Sequence, residues 1–308
     1  MPLRGSSLVK EIPDYVRKTL ADLGVSLLDS TFHVSIDDRE EIITWAIEGG
    51  KSSFALWHIA DWDSEQLSVK CAKIDKIISL AEEASSDLTL WHEISSRAKS
   101  EKIDNFFFRA AAENPALIKE AEEAGFRTIG IHLDFLYKGH EADIFNQLHE
   151  RIRAAEDKDV KDIVSMAELI RDDRFHRDGV FPGERISRLW RTSVYNAVTQ
   201  WADKVYVYEQ SGKVAGFIIV TEDSSIPLSS AGAGKRIFLI AVLPELRRQG
   251  VGKALVRAAV HYSGENASPY LLVGTQGSNS AAISLYQSCG FKLNSVSQEL
   301  SWWFNENK

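Results

Sequence analysis

The chain has 308 residues, 44% of them hydrophobic and 26% charged, and its length allows two domains that each bury a core. The net charge of −8 disfavours general binding of nucleic acid or of a membrane surface, since both partners need a basic face. The two cysteines lack the spacing of metal ligands, which argues against a disulfide scaffold or a metal site. No apolar run reaches signal-peptide or membrane-spanning length, which argues against export. We therefore expect a cytoplasmic protein.

The sequence up to Ile74 carries the patterns of helices and strands, and residues 1–50 show no recognisable chemistry. Amphipathic segments predict helices from about Leu8 to Leu23 and from Asp37 to Ile47. Strand patterns follow at Phe54 to Trp57 and at Leu67 to Ile74, on either side of an acidic, aromatic loop from Asp61 to Glu65. We expect a solvated loop held by one anchoring tryptophan, with ligand contact as the alternative.

One strand, helix, strand, strand unit occurs twice in the sequence. The equivalent positions are Asn114 and Asn279, Gly125 and Gly290, and Phe126 and Phe291. The helix of the first copy is predicted from Pro115 to Ala124 and that of the second from Ser280 to Ser288. Such repetition predicts two structurally related domains, and the polar stretch 138–150 places their boundary so that they span 1–150 and 151–308.

The second half begins with a pattern that alternates between strands and helices. A first strand and helix, a polar and aromatic loop, a second helix and a hairpin around Gln210-Ser211-Gly212 follow one another. Their predicted ranges are Arg151 to Ala155, Val160 to Ile170, Arg174 to Gly183, Ile186 to Val198, Val205 to Tyr208 and Lys213 to Val220.

The stretch from Arg236 to Val260 is the most informative part of the sequence. A buried strand pattern, Ile237 to Leu243, is closed by Pro244 and followed by a glycine-bearing turn and an amphipathic helix. The first turn of a helix presents unpaired N–H groups and a positive dipole end, so we expect an anionic ligand here. The alternative is a tight turn whose basic residues are only solvated.

The pattern V-x-P-x-x-R-R-x-G-V-G, which runs from Val242 to Gly252, resembles the acetyl-CoA-binding motif of the GNAT N-acetyltransferase superfamily. The turn has neither the Lys-Ser/Thr pair of a P-loop nor the three glycines of a dinucleotide-binding turn. The resemblance implies a GNAT fold, an α/β (α+β) mixed sheet, and acetyl-CoA as co-substrate. It assigns cofactor binding to Ile240, Val242, Arg247, Arg248, Gln249, Gly250, Val251, Gly252, Lys253 and Asn279.

The two copies of the repeat differ where chemistry is expected. Tyr286 of the second copy corresponds to Ala121 of the first, and the glycine turn corresponds to the acidic segment from Glu82 to Asp87. Carboxylates repel a diphosphate, so the N-terminal half is predicted to be a partial GNAT-like domain without a cofactor site. The complete acetyltransferase domain is predicted in the C-terminal half.

Tyr286 is the candidate catalytic side chain. It lies two helical turns after Asn279, so both face one cleft if Asn279 stands at the helix start. A neutral phenol can donate a proton to a departing thiolate, and the resemblance implies that general-acid role. A helical tyrosine packed in the core is the commoner case, but the alanine in the first copy favours function.

The loop after Arg174 is predicted to bind the substrate through Phe175, His176 and Asp178. His176 and Asp178 are also candidates for the general base, with water-relayed deprotonation as the alternative. No partner for His176 can be identified in the sequence, which favours a structural or surface histidine.

Three further stretches resemble one branch of the superfamily, the TDP-fucosamine acetyltransferases. These stretches are Trp62 to Glu65, Asp173 to His176 and Val273 to Gln276, and the aromatic strand from Trp302 to Phe304 accompanies them. The resemblance implies a nucleotide-linked aminosugar as acceptor. The sequence departs from the branch in residues 1–50 and in Gln66 to Ser68, which leaves the sugar and the nucleotide open.

Two other functions share the same C-terminal domain. A protein or peptide N-acetyltransferase needs an open groove instead of an enclosed sugar pocket. A non-catalytic acyl-CoA sensor would also bind the cofactor, and retention of Tyr286 argues against it. We therefore expect a small-molecule amine acceptor, no nucleic acid, no membrane and no metal, with a homodimer as one possible assembly.

Overall fold

The computed structural model describes residues 33–36, 39–48, 51–79, 88–138, 148–226 and 233–304. Within these ranges the chain forms two compact units. Unit 1 contains the described residues up to Ile129 and those from Gln298 onwards, and unit 2 runs from Gly130 to Ser297. Both are built on a sheet with helices, so the predicted mixed α/β fold is confirmed.

Unit 1 has a mixed sheet in which β1 to β4 pair antiparallel and β4 pairs in parallel with β5. Its core is aromatic: Trp57 meets Phe106 edge to face at 5.0 Å, and Trp91 meets Phe126 at 5.4 Å between ring centroids. Its elements are β1 (His33–Ile36), β2 (Arg39–Glu48), β3 (Lys51–Ile59), α1 (Asp61–Leu67), β4 (Cys71–Ser79), α2 (Leu88–Ser100), β5 (Asn105–Ala111) and α3 (Pro115–Glu123).

Two predictions in this unit are wrong. Residues 39–47 of the predicted helix from Asp37 to Ile47 lie in strand β2 instead, which pairs with β3 from Ile42 to Glu48. The predicted loop from Asp61 to Glu65 lies in helix α1, where Ser64 Oγ donates to Ala60 O and accepts from Cys71 N. The segments Leu8 to Leu23 and Glu82 to Asp87 lie outside the described residues.

Unit 2 has strand order β6-β11-β10-β9-β8-β7, in which only β10 and β11 are parallel. The hairpin predicted around Ser211 and Gly212 joins β8 to β9, and both residues have positive φ angles. The elements are β6 (Arg127–Tyr137), β7 (Ile152–Ala154), α4 (Val160–Ser165), α5 (Arg174–Asp178), α6 (Gly183–Asn196), β8 (Lys204–Gln210), β9 (Lys213–Asp223), β10 (Gly234–Val242), α7 (Val251–Glu265), β11 (Leu271–Gln276), α8 (Ser280–Ser288) and β12 (Lys292–Trp303).

Each unit contains a strand segment from the other half of the sequence. Strand β6 follows α3 of unit 1, yet residues 132–137 pair with β11 of unit 2. Strand β12 ends in unit 1, where Leu300 is buried in the aromatic core and Ser301 Oγ accepts from Asn105 Nδ2 at 2.9 Å. The sequence boundary after residue 150 stays a prediction, while the compact units exchange these strand segments.

The repeat seen in the sequence gives the same local structure in both units. Asn114 Oδ1 accepts from Leu117 N at 3.2 Å, and Asn279 Oδ1 accepts from Ala282 N at 3.1 Å, so each asparagine caps a helix. Each helix ends at a glycine with positive φ, and the following phenylalanine N–H bonds back to residue 121 or 286. A buried phenylalanine then enters each core.

Candidate active site

Strands β10 and β11 pair only at their starts and then diverge. The last parallel pair joins Ile237 to Val273, whereas β10 continues to Val242 and β11 to Gln276. A register shift at Phe238 accompanies the divergence, and β9 pairs with the far edge of β10 as far as Val242. We call residues 238–242 and 274–276 the splay. In the described residues no ladder joins these two segments, so main-chain groups there can bind a ligand.

Ile240 and Val242 lie on the β10 side of the splay. Both side chains are half-buried and pack against the core that α7 contributes to unit 2. This packing fixes the position of their main chain. Binding of a cofactor by that main chain remains a prediction.

The glycine turn joins β10 to α7. Arg248 and Gly250 both have positive φ, 62° and 86°, which reverses the chain so that α7 begins at Val251. Gly250 is the N-cap and supplies no side-chain cap, so the first N–H groups of α7 are left for another acceptor. A Cβ added at Gly250 would meet nothing within 4 Å, so there is open space in front of the turn.

The side chains of this turn divide into two groups. Arg247 Nε donates to Val242 O at 3.2 Å, and Gln249 Nε2 donates to Glu245 O at 2.8 Å, so both side chains brace the turn itself. Arg248 is exposed and Lys253 half-buried near the start of α7. Gly252 packs under Leu285 of α8, since a Cβ there would lie 3.2 Å from that side chain.

The turn has the features of an anion-binding site. The N-terminus of the 15-residue helix α7 has no side-chain cap, and a Cβ at its N-cap Gly250 would meet nothing within 4 Å, so an anion can approach the main chain there. Arg248 adds positive charge at the same place. The N–H groups of residues 250–253 and the splay of β10 are the groups that would hold the cofactor.

Helix α8 carries Asn279 and Tyr286. Asn279 caps the helix, since its Oδ1 accepts from Ala282 N, and cofactor binding by its side chain remains a prediction. Tyr286 is 3% exposed, and its ring packs against Phe135 of β6 and Phe291, with centroids 6.1 and 6.0 Å away. The Tyr286 ring is therefore part of the hydrophobic core. A catalytic role for its hydroxyl group remains a prediction.

Burial raises the pKa of the Tyr286 phenol well above its ordinary value of 10.0, and the nearby Cys289 adds to the shift. The phenol is therefore neutral over the physiological range and can act as a hydrogen-bond donor. A group with a higher pKa in the folded state stabilises the fold fully below the unfolded pKa. That stability is lost as pH rises from about 10, where the unfolded phenol ionises first.

Tyr286→Phe should consequently weaken the alkaline destabilisation of the protein. The free energy of unfolding of the variant, measured by urea titration between about pH 9 and 11, should fall less steeply than that of the wild type. Tyr195→Phe, at a tyrosine that is 49% exposed, is the control. Equal slopes for the two variants would contradict the burial argument.

The predicted substrate loop contains helix α5. Phe175 is buried against Phe181, with centroids 5.8 Å apart, and Arg174 lies over the Phe175 ring at 4.6 Å. Asp178 is also buried. Both residues anchor the segment, and their contact with a substrate remains a prediction.

His176 has the partner that the sequence did not reveal. Its Nδ1 lies 2.5 Å from Asp173 Oδ2, and Asp173 is itself buried. Trp190 Nε1 of α6 donates to the same oxygen at 3.1 Å. The sequence did contain a signal for this pair. An aspartate at a helix N-cap and a histidine three residues later lie close enough for their side chains to meet.

A second polar group joins this segment to the turn before α8. Arg177 pairs with Asp172, Nη2 to Oδ1 at 2.5 Å, and also donates to Ser278 Oγ. Ser278 Oγ lies 3.2 Å from Asp172 Oδ2. Ser278 directly precedes Asn279, so α5 is tied to the N-terminus of α8. No sequence pattern links residues this far apart in the chain.

Most of unit 2 is similar to a known protein family. The model of the Acetyltransferase (GNAT) family matches residues 163–291. This segment contains α5, the splay, the glycine turn and α8. Residues 163–291 are therefore similar to the Acetyltransferase (GNAT) family.

Two curated relatives match part of the chain. The ribosomal protein bS18-alanine N-acetyltransferase of Escherichia coli strain K12 is 37% identical over 82 residues, which cover 27% of this chain and 50% of that protein. The mycothiol acetyltransferase of Renibacterium salmoninarum is 29% identical over 105 residues, covering 30% and 31%. The matched segments thus span half or less of the length of both relatives.

A solved structure extends the likeness in fold beyond residues 163–291. A GCN5-related N-acetyltransferase from Sphaerobacter thermophilus superposes with a TM-score of 0.56 at 12% identity, covering 97% of this chain and 90% of that one. At such low identity, the superposition shows similarity of fold only. It supports a GNAT-like architecture that includes the N-terminal half.

The described residues lack two features, a metal-binding cluster and a membrane-spanning helix. They hold no group of three or more His, Cys, Asp and Glu side chains arranged to bind a metal ion. Among the helices in these residues, none has the length and apolarity needed to cross a bilayer.

Proposed function

We propose that the protein is an acetyl-CoA-dependent N-acetyltransferase that passes the acetyl group directly to the amine of a small acceptor. The observation that carries this proposal is the splay between β10 and β11, which ends at an uncapped helix N-terminus facing open space. The family match and the N-acetyltransferases among the relatives support it.

Each element of the site has a part in this reaction. Acetyl-CoA, when bound, supplies an acyl group activated as a thioester. The N–H groups of residues 250–253 hold its diphosphate, and the main chain of Ile240 and Val242 aligns pantetheine and the thioester carbonyl oxygen. Tyr286 donates a hydrogen bond toward the departing sulfur, which suits a buried phenol that stays neutral. Asn279 sets the start of the helix that carries Tyr286.

The acceptor proposed here is a nucleotide-linked aminosugar. Asp173 to His176 and Val273 to Gln276, which carry the resemblance to TDP-fucosamine acetyltransferases, lie in unit 2 with the splay. A peptide amine is the second candidate, because a relative at 37% identity is named for acting on an alanine of a ribosomal protein. Both cysteines are buried and outside any disulfide, which fits a reducing compartment, so the proposal includes a cytoplasmic location.

A thiol-release screen tests the activity and the acceptor together. Purified protein is incubated with acetyl-CoA and TDP-aminosugars, UDP-aminosugars, polyamines or peptides with a free N-terminus, and free CoA is measured. We expect release with a nucleotide aminosugar. Release of CoA with peptides alone would show that the acceptor is a peptide amine instead of an aminosugar. Binding of acetyl-CoA without release of CoA for any amine would identify a sensor.

Tyr286→Phe tests the assignment of the phenol. The variant keeps the ring that packs on Phe135 and Phe291, so its fold and its acetyl-CoA affinity should be nearly unchanged. Loss of the donor should lower kcat by roughly 10²- to 10⁴-fold, the usual contribution of general acid catalysis. Steady-state kinetics and calorimetric binding check this, and equal loss of turnover and affinity would show that Tyr286 only packs.

A further inference from the structure

We propose that His176, oriented by Asp173, accepts the proton of the acceptor amine, and this inference rests on the proposed acetyltransferase function. His176 Nδ1 lies 2.5 Å from Asp173 Oδ2, whereas its Nε2 has a 3.5 Å contact with Arg171. The imidazole side chain is 20% exposed, against 9% for the carboxylate. A buried carboxylate thus holds one ring nitrogen, while the other has the long contact with Arg171.

The hydrogen bonds of Asp173 fix which nitrogen carries the proton. Its Oδ1 accepts from the N–H groups of Phe175 and His176 at 2.8 and 3.1 Å, and its Oδ2 accepts from Trp190 at 3.1 Å. A carboxylate with these donors is an ionised acceptor, so the neutral imidazole gives it the Nδ1 proton. Nε2 then carries the lone pair that a base requires.

The segment that carries the pair is attached to both sides of the splay. Trp190, bonded to Asp173, packs in the same apolar cluster as Phe238 and Ala241 of β10. Arg177, the residue after His176, is bonded to Ser278, which follows β11. These two attachments connect the segment that carries His176 to β10 and to the residues after β11, the two strands that diverge where the proposed reaction occurs.

The charged groups that face the imidazole favour this role. Asp173 stabilises the imidazolium that forms when a proton arrives, and Arg177 is paired with Asp172. Arg171 is the other cation near the ring, and its contact of 3.5 Å with Nε2 is at the limit of a hydrogen bond. A substrate that displaces or pairs with this exposed arginine therefore gains access to Nε2.

The step balances within the groups named. The amine nitrogen forms a bond to the carbonyl carbon of the acetyl thioester as the carbon–sulfur bond breaks. The proton on that nitrogen moves to Nε2 of His176, and the electron pair of the broken bond stays on sulfur, which is protonated by Tyr286 or solvent. His176 afterwards releases its proton to water.

The tautomer can be measured without any turnover. In ¹⁵N-labelled full-length protein, two-bond proton–nitrogen correlation spectra, assigned by comparison with His176→Gln, should place the proton of neutral His176 on Nδ1. Asp173→Asn, which keeps a helix cap, should move it to Nε2. A wild-type Nε2–H tautomer would overturn the proposal, because that nitrogen could not accept a proton.

Kinetics give the second test, with a matched control. His176→Gln should lower kcat/KM for the amine by roughly 10²- to 10⁴-fold and remove the fall in rate at acid pH, with unchanged acetyl-CoA affinity. His261→Gln alters another histidine–carboxylate pair of unit 2, His261 with Glu265, and should change neither. Asp173→Asn should lower kcat/KM in the same direction as His176→Gln.

The outcomes separate this inference from the proposed function. If the wild type is active and His176→Gln keeps both the wild-type rate and the fall in rate at acid pH, His176 is not the general base. The proposed acetyltransferase function would be unaffected by that result. A loss confined to the KM for the amine would assign His176 to substrate binding, which also overturns it. Acetyl-CoA binding without thiol release by the wild type for any amine would overturn both.

Discussion

Replacing Gly250 with phenylalanine should abolish acetyl-CoA binding while the protein stays folded. The position is open in the structure, since a Cβ there meets nothing within 4 Å, and the open side is where the diphosphate is proposed to lie. A phenyl ring in that space keeps the diphosphate away from the N–H groups of α7. Losing two such charge-assisted hydrogen bonds costs about 3–6 kcal/mol, or at least about 100-fold in affinity.

Gly212→Phe is the matched control for the backbone cost of this substitution. Gly212 has a φ of 73°, close to the 86° of Gly250, and a Cβ there also meets nothing within 4 Å. Both variants should lose about 1–2 kcal/mol of stability, because a side chain is strained at positive φ. Only Gly250→Phe should lose acetyl-CoA binding in a calorimetric titration, and retained binding in that variant would remove the glycine turn from the cofactor site.

The glycine turn and the repeat could be predicted because they depend on local chemistry. Proline, paired arginines and glycines dictate a strand, turn, helix sequence through backbone angles that few residues adopt. The same holds for Asn114 and Asn279, whose caps follow from their own side chains. Neighbouring residues alone settle such features.

The errors arose where tertiary pairing decides the local structure. The segment Arg39–Glu48 contains Ile42, Ile43 and Thr44, β-branched residues that suit a strand, but its spacing also allows a helix. Pairing with β3 resolves this choice. The helix Asp61–Leu67 was missed for a related reason, since Ser64 is held by Ala60 and by Cys71 of the following strand.

Relationships between distant segments could not be predicted from a single sequence. Hydrophobic alternation identified the region of β6 as strand-like, yet periodicity does not say which strand is its neighbour. The link from Arg177 to Ser278 is equally invisible, because nothing in either segment specifies the other. The pairing of Asp173 with His176 is an intermediate case, since its short spacing follows from helix geometry.

A fragment of residues 151–308 should fail to fold and to bind acetyl-CoA, because strand β6 of unit 2 comes from the N-terminal half of the sequence. It retains every residue assigned to the cofactor and to catalysis, but it lacks β6. Strand β11 would lose its partner from His132 to Tyr137, and Tyr286 and Phe291 would lose ring contacts with Phe135 and Tyr137. Removing one buried phenylalanine alone costs about 3–5 kcal/mol, against a typical total stability of about 5–15 kcal/mol.

A fragment of residues 130–297 is the matched comparison, since it is unit 2 and includes the part of β6 that pairs with β11. It should unfold cooperatively in urea and show a melting temperature that rises with acetyl-CoA, while 151–308 should expose an apolar strand edge and aggregate. Phe135→Ala in the full chain should lower stability in the same direction by about 3–5 kcal/mol. If the 151–308 fragment melted cooperatively and bound acetyl-CoA as the full chain does, the N-terminal half would not be needed for folding or for binding. Strand β6 would then only cover the edge of β11, which would be stable without it.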